Sequence, residues 1–178
     1  MAERHPFVLL DDAREHGAAD ALLFENPRQV FVAHRPDQVA DVLCAAEQAR
    51  KSGGELAGFI AYEAGLALED RLRPLAHARS GAAGPLVWLG LFDAPTRIAA
   101  ADMPDWLAAH AQGPGSVGPL DPQLSPGGYE KAFATLQEAI RAGDIYQANL
   151  TFPLAGNFTG DPVGLYAALR PAAQAGYG

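Results

Sequence analysis

Residues 128–154 read G-Y-E-K-A-F-A-T-L-Q-E-A-I-R-A-G-D-I-Y-Q-A-N-L-T-F-P-L, and this run decides the fold class. Tyr129, Ala132, Phe133, Leu136, Ala139 and Ile140 recur at the three-and-four spacing of one helix face, which predicts an amphipathic helix with one buried stripe. Ser125 and Pro126 suit an N-cap and first-turn pair, although Gly128 stands where a capping box would place Glu or Gln. Gly143 is placed to end the helix in a left-handed conformation, with Arg141 facing the negative end of the helix dipole. From Asp144 the period becomes two. Tyr146, Ala148, Leu150, Phe152 and Leu154 fall on one side and Gln147, Asn149 and Thr151 on the other, which predicts a strand with one buried and one polar face.

Outward from this run, residues 7–10 and 29–33 read as strands, and residues 37–51 as a helix with Val39, Val42, Leu43, Ala46 and Ala49 inward. Gly53 and Gly54 close that helix. Residues 56–62 and 86–92 are apolar runs of strand length, predicting central strands covered on both faces, with a charged, irregular connection between them. Residues 96–101 suggest another strand, and Asp102 is placed to cap a short helix through Trp106 and Leu107. Residues 113–127 read as a loop rich in Gly and Pro. Asp161 and Pro162 start a last helix through Val163, Leu165, Tyr166 and Leu169, ended by Arg170 and Pro171. Helices and strands without regular alternation favour an α+β domain, with mixed or antiparallel sheets and packed helices.

Composition narrows the function classes. A chain of 178 residues, 49% apolar, is long enough to bury a core and fits one domain. Thirteen basic against 21 acidic residues give a formal charge of −8 without a basic cluster, which argues against a nucleic-acid or anionic-membrane surface. No apolar run approaches the roughly 20 residues that cross a bilayer, and no charged-then-apolar leader pattern opens the sequence. A single cysteine excludes an internal disulfide and fits a cytoplasmic setting.

Several motif-like features carry no chemistry of their own. Gly113, Gly115 and Gly118 match G-x-G-x-x-G, but they lead into Pro119 and Pro122 rather than a helix whose N–H groups would meet a pyrophosphate. His5, His16, His34, His77 and His110 are scattered without ligand spacing, so no metal site is assigned. Cys44 falls on or beside an apolar helix face, where a packed, inert thiol is expected. Asn149-Leu150-Thr151 is a sequon on an expected strand. Tyr62 and Glu63 are expected to close a buried strand, with Glu63 in a structural hydrogen bond or ion pair. Gln147 and Asn149 are expected in cross-strand or loop hydrogen bonds, with a reach toward a further half as the other reading. Asp11 and Asp12 would point to opposite faces of a strand, which keeps them from working as a general acid and base on one substrate.

The segment "GDIYQANLTFPL" resembles the helix-to-strand junction preceding the catalytic half of the aminodeoxychorismate synthase component I family, and the related anthranilate synthase large subunits are similar. "PFVLLDDAR", "GFIAYEAGLALEDRL" and "GPLVWLGLFDAP" resemble further segments of that family in the family's order, so the likeness runs from Pro6 to about Leu154. The resemblance implies the N-terminal portion of the anthranilate synthase component I-like fold, residues 1–178 being an N-terminal domain truncated before the catalytic, chorismate-binding domain. It implies a complete enzyme that aminates chorismate to 4-amino-4-deoxychorismate for 4-aminobenzoate and folate, with Mg²⁺ and with ammonia from a glutaminase subunit. By the same resemblance no catalytic residue lies in residues 1–178, and these alone are expected to be inactive and to bind no Mg²⁺ specifically. Asp12, in "LLDDA", takes the place of a serine in the segment that holds tryptophan as an effector in relatives. Ala21, Leu22, Leu23 and Phe24 resemble a second segment of that pocket. Anthranilate synthase component I, or a free-standing effector-binding or subunit-docking domain without catalysis, are the alternative readings.

Overall fold

The computed structural model describes residues 5–78 and 84–177. The chain divides into two compact units, Met1–Met103 with Ala173–Gly178, and Pro104–Ala172.

In the first unit, strand β1 (Phe7–Leu10) pairs antiparallel with β2 (Ala21–Glu25), Leu10 opposite Leu22 and Val8 opposite Phe24. Asn26, in the left-handed region at φ 55°, turns the chain at once into β3 (Gln29–Ala33) of a second sheet. Helix α1 (Val39–Lys51) follows a 3₁₀ turn at Pro36–Gln38. The helix therefore begins later than expected, because the Gln38 side-chain oxygen accepts from the N–H groups of His34 and Arg35 at 3.0 Å each and holds a tighter turn there. Strand β4 (Glu55–Ile60) leads through a 3₁₀ turn, Tyr62–Ala64, into the four-residue helix α2 (Gly65–Leu68) and a further 3₁₀ stretch, Arg73–Ala78. Strands β5 (Val87–Phe92) and β6 (Thr96–Ile98) complete two antiparallel sheets, ordered β1-β2-β6 and β3-β5-β4.

Strand β5 is central and buries both faces, which explains its unbroken apolar sequence. Val87 and Leu89 face Ala33, Val39, Ala46, Ala64 and Ala67 on the helix side. Trp88 and Phe92 face Phe24, Val8, Leu10 and Leu22 of the first sheet, with the Phe24 and Phe92 rings tilted at 5.5 Å between centroids. Full burial of side chains such as Phe92, Leu86 and Val87 contributes about 1.5–3 kcal/mol each. Strand β4, expected to be central as well, is an edge. It stops at Ile60, Phe59 and Ile60 are half exposed, and Tyr62, at 95% exposure, lies in the turn beyond, so neither Tyr62 nor Glu63 closes a buried strand. An apolar run of that length reports burial on at least one face and not the number of neighbours. Cys44 is exposed, not packed: it sits one residue past Leu43, and that step of about 100° carries it off the buried stripe.

The second unit continues helix α3 (Met103–His110), which begins directly after Asp102 as the capping pattern predicts. The expected Gly/Pro loop contains two short strands, β7 (Gly115–Val117) and β8 (Asp121–Pro122). Helix α4 (Pro126–Ala142) follows, and then β9 (Leu154–Ala155), β10 (Phe158–Gly160) and helix α5 (Pro162–Ala173). Strand β7 pairs with β10 and β8 with β9, both antiparallel. These partners lie far along the chain, so local composition could not reveal them. Gly115 is a packing glycine: a Cβ there would overlap the Asp161 carbonyl at the start of α5. Asp161 caps α5, its carboxylate accepting from the Gly164 N–H at 3.0 Å. The helix runs past Pro171 to Ala173, so the expected stop at Arg170 and Pro171 is not observed; proline's φ is helical, and the lost N–H bond and the crowding of the carbonyl four residues back fall only two residues before the end.

Helix α4 has the predicted ends. Ser125 Oγ accepts from the Gly128 N–H at 3.1 Å, and Gly143, at φ 81°, closes a Schellman turn in which Asp144 N–H donates to Ala139 and Gly143 N–H to Ile140. Its apolar stripe, however, holds no buried residue; Tyr129 is 42% exposed and Phe133 47%. The strand expected from Asp144 is likewise absent until β9. Residues 145–153 form no strand ladder among the described residues, because alternation gives a segment two faces and only a neighbouring strand makes it part of a sheet.

Candidate functional site

Asp12, in the turn after β1, is a densely bonded polar group of the first unit. Its side chain is wholly buried, as is that of Asp11 beside it. Arg14 clasps Asp12 with both arms of its guanidinium, Nε donating to Oδ1 at 2.8 Å and Nη2 to Oδ2 at 2.5 Å. The Ala19 N–H adds a bond to Oδ2 at 2.9 Å, and the Arg14 N–H reaches Oδ1 at 3.3 Å. Charge-assisted, bidentate bonding of this kind is the strong form of the interaction. Arg14 foremost, and the Ala19 N–H next, hold the Asp12 carboxyl well below the usual carboxylate range. Sequence reading singled out the two aspartates but not Arg14; the only available signal was an Asp and an Arg two residues apart at a strand end.

The structure does not gather the other residues expected near an effector onto one wall with Asp12. Leu22 and Phe24 point into the core between the two sheets. Ala21 and Leu23, also buried, alternate with them on the opposite face of β2. Beside β1 lies an apolar groove of about 470 Å³, lined by Pro6, Phe7, Val8 and Leu9 of the first sheet's edge and by Gly58, Phe59, Pro85 and Trp88. None of the residues expected near an effector lines it, although its lining comes from the segments "PFVLLDDAR", "GFIAYEAGLALEDRL" and "GPLVWLGLFDAP".

In the second unit a cleft of about 280 Å³ lies along α4, lined by Tyr129, Phe133, Leu136, Gln137, Ile140, Ala148, Asn149 and Leu150. Tyr129 stacks on Phe133 and meets Phe152 edge-on, each with centroids 6.1 Å apart. Asn149 lines this cleft together with Ala148 and Leu150, so the expected division into a polar and an apolar face does not hold there. Among the described residues no group of three or more His, Cys, Asp or Glu side chains is placed to hold a metal ion; the His77 side chain lies outside the described set. No helix among them is long and apolar enough to cross a membrane.

A family model described as chorismate binding enzyme matches residues 5–178. The chain belongs to that family. No curated protein and no solved structure matches it. Membership makes the chain part of a chorismate-utilising enzyme, and the mixed α/β architecture with small antiparallel sheets is compatible with such a domain. Chorismate is a dicarboxylate, and neither the groove beside β1 nor the cleft along α4 is lined by an arginine or lysine to receive it.

Proposed function

We propose that residues 1–178 are the N-terminal portion of an enzyme like aminodeoxychorismate synthase component I. The family match over residues 5–178 supports the chorismate-utilising part of this reading, and the resemblance of the ordered segments "LLDDAR", "GFIAYEAG" and "GDIYQANLTFPL" is what supports the choice of this enzyme and of its N-terminal portion. In the complete enzyme the 4-hydroxyl of chorismate is replaced by an amino group, a C–O bond breaking as a C–N bond forms and water leaving. Ammonia comes from a glutaminase subunit. The uncovered stripe of α4 and the unpaired run that follows it support a structural role for this portion, as surfaces made to meet further protein. In this reading Mg²⁺ would be held by side chains of the catalytic half, where it would balance the charge of the substrate carboxylates. A cytoplasmic setting accords with the single cysteine.

The test is to read the coding frame beyond residue 178 and to assay the longer product and residues 1–178 side by side with chorismate, ammonium and Mg²⁺. Formation of 4-amino-4-deoxychorismate by the longer protein, with none from residues 1–178, is the expected result. Anthranilate as product would reassign the reaction, a native stop codon would favour a docking domain, and turnover by residues 1–178 would overturn the division of labour.

A further inference from the structure

Strand β4 is the outer strand of the sheet β3-β5-β4, and Gly58, Phe59 and Ile60 on it are exposed. The Ala61 N–H donates to the Leu86 carbonyl at 2.8 Å, continuing the register in which Ile60 stands opposite Val87. Successive strand residues aim their backbone groups at opposite edges. Ala57 and Phe59 therefore face β5 as Ala61 does, while Leu56, Gly58 and Ile60 turn their N–H and C=O groups outward. Among the described residues no hydrogen bond from another element reaches this outer row. Folded proteins usually protect such an edge with lysines, prolines or bulges. Here Glu55 is the one charged residue of the strand, Glu55–Ile60 contains no proline, and its pairing with β5 is continuous along its whole length.

We propose that a second copy of the chain docks on this edge, β4 pairing antiparallel with its own equivalent about a two-fold axis. Such an axis places one residue of the ladder opposite itself, and Gly58 is the middle one of the three that face outward. With Gly58 on the axis, each Leu56 stands opposite Ile60 of the second copy, and every outward N–H and C=O of the two strands finds a partner. Between these pairs Ala57 meets Phe59, a small side chain against a large one on the face turned toward the first sheet. Charge allows this register. Glu55 falls opposite the neutral Ala61, and the two Glu55 carboxylates stand at opposite ends of the ladder, about 20 Å apart and well beyond the screening length at physiological salt. The two three-stranded sheets become one continuous sheet, and the exposed Phe59 and Ile60 gain cross-strand neighbours. Pairing of this kind is independent of which reaction the complete enzyme performs.

Sedimentation velocity of the purified chain, from micromolar to near-millimolar concentration, tests this. The wild type converts reversibly from an 18.7 kDa monomer to a dimer. Ile60→Pro withdraws an N–H that the fold leaves outward, so the chain keeps its circular dichroism while the dimer weakens by about tenfold or more. Phe133→Ala, on the exposed stripe of α4, leaves association unchanged. In a Cys44→Ser background, Leu56→Cys combined with Ile60→Cys joins two chains on mild oxidation, since opposed residues of a bonded pair lie about 5.5 Å apart. Within one strand the same two positions are about 13 Å apart and cannot bridge. A wild type that stays monomeric throughout overturns the proposal and leaves the edge to a strand from elsewhere; a dimer that a folded Ile60→Pro chain retains also overturns it. If Ile60→Pro fails to fold, the paired cysteines decide: a cross-linked dimer upholds the register, and its absence removes it.

Discussion

Strand β5 and helix α4 are equally well written in sequence, yet one is the centre of a core and the other lies open. The apolar run Val87–Phe92 is met by side chains on both faces, and Phe92 and Val87 are almost wholly buried. The three-and-four pattern of Pro126–Ala142 is just as regular and its caps are complete, but none of its residues is buried. Among the described residues of Pro104–Ala172, Leu107 and Val163 are the only buried hydrophobic ones. Pattern and capping are thus enough to define a helix, whereas burial needs an opposing surface, and most helical stability in proteins comes from that packing.

The comparison can be broken or sharpened by substitution. Phe92→Ala is expected to have the largest effect, destabilising the chain by about 3–5 kcal/mol in urea unfolding, because it removes a ring packed between the sheets. A loss below about 1 kcal/mol would mean that the first sheet does not rest on β5 as described. Acid should come next. Asp12 is depressed by Arg14, so its contribution is fully present above the unfolded carboxylate pKa of about 3.9 and is lost as pH falls from there toward the lower folded value. Unfolding midpoints followed from pH 6 to pH 2 should therefore fall more steeply for the wild type than for Asp12→Asn; parallel curves would show that the pair contributes nothing. Ser125→Ala should cost about 1 kcal/mol by loss of the cap on Gly128 N–H, read by helical circular dichroism during unfolding. Phe133→Ala should be the mildest, within about 0.5 kcal/mol, since the ring is nearly half exposed. A cost there comparable to Phe92→Ala would mean that α4 is covered in solution.

Much of this architecture was legible beforehand for particular physical reasons. Phe7–Leu10 and Gln29–Ala33 were found with their observed boundaries, because short apolar runs between turn residues have few other readings. The ends of α4 were legible because capping is local: Ser125, Gly128 and Gly143 act within one turn of their partners. Strands β7 and β10 were not, since each is three residues long and gains its identity only from the other. At the candidate site, Asp11 and Asp12 stood out as adjacent acids at a strand end, but Arg14 and the Ala175 carbonyl were silent. An ion pair two residues apart is possible in many conformations, and a carbonyl from the far end of the chain leaves no local trace.

By itself, the sequence determined the mixed helix-and-strand character, the amphipathic helices with the stops of α1 and α4, and the family match that places the chain among chorismate binding enzymes. These depend on local periodicity, capping and residue order, all of which are carried along the chain. Tertiary structure alone decided that β5 is central and β4 an edge, that Cys44 faces outward, that residues 145–153 lie without a ladder, and that Asp12 is closed by Arg14. Each of these depends on which distant group arrives at a given face, and a residue's own neighbours in sequence carry no force that selects it.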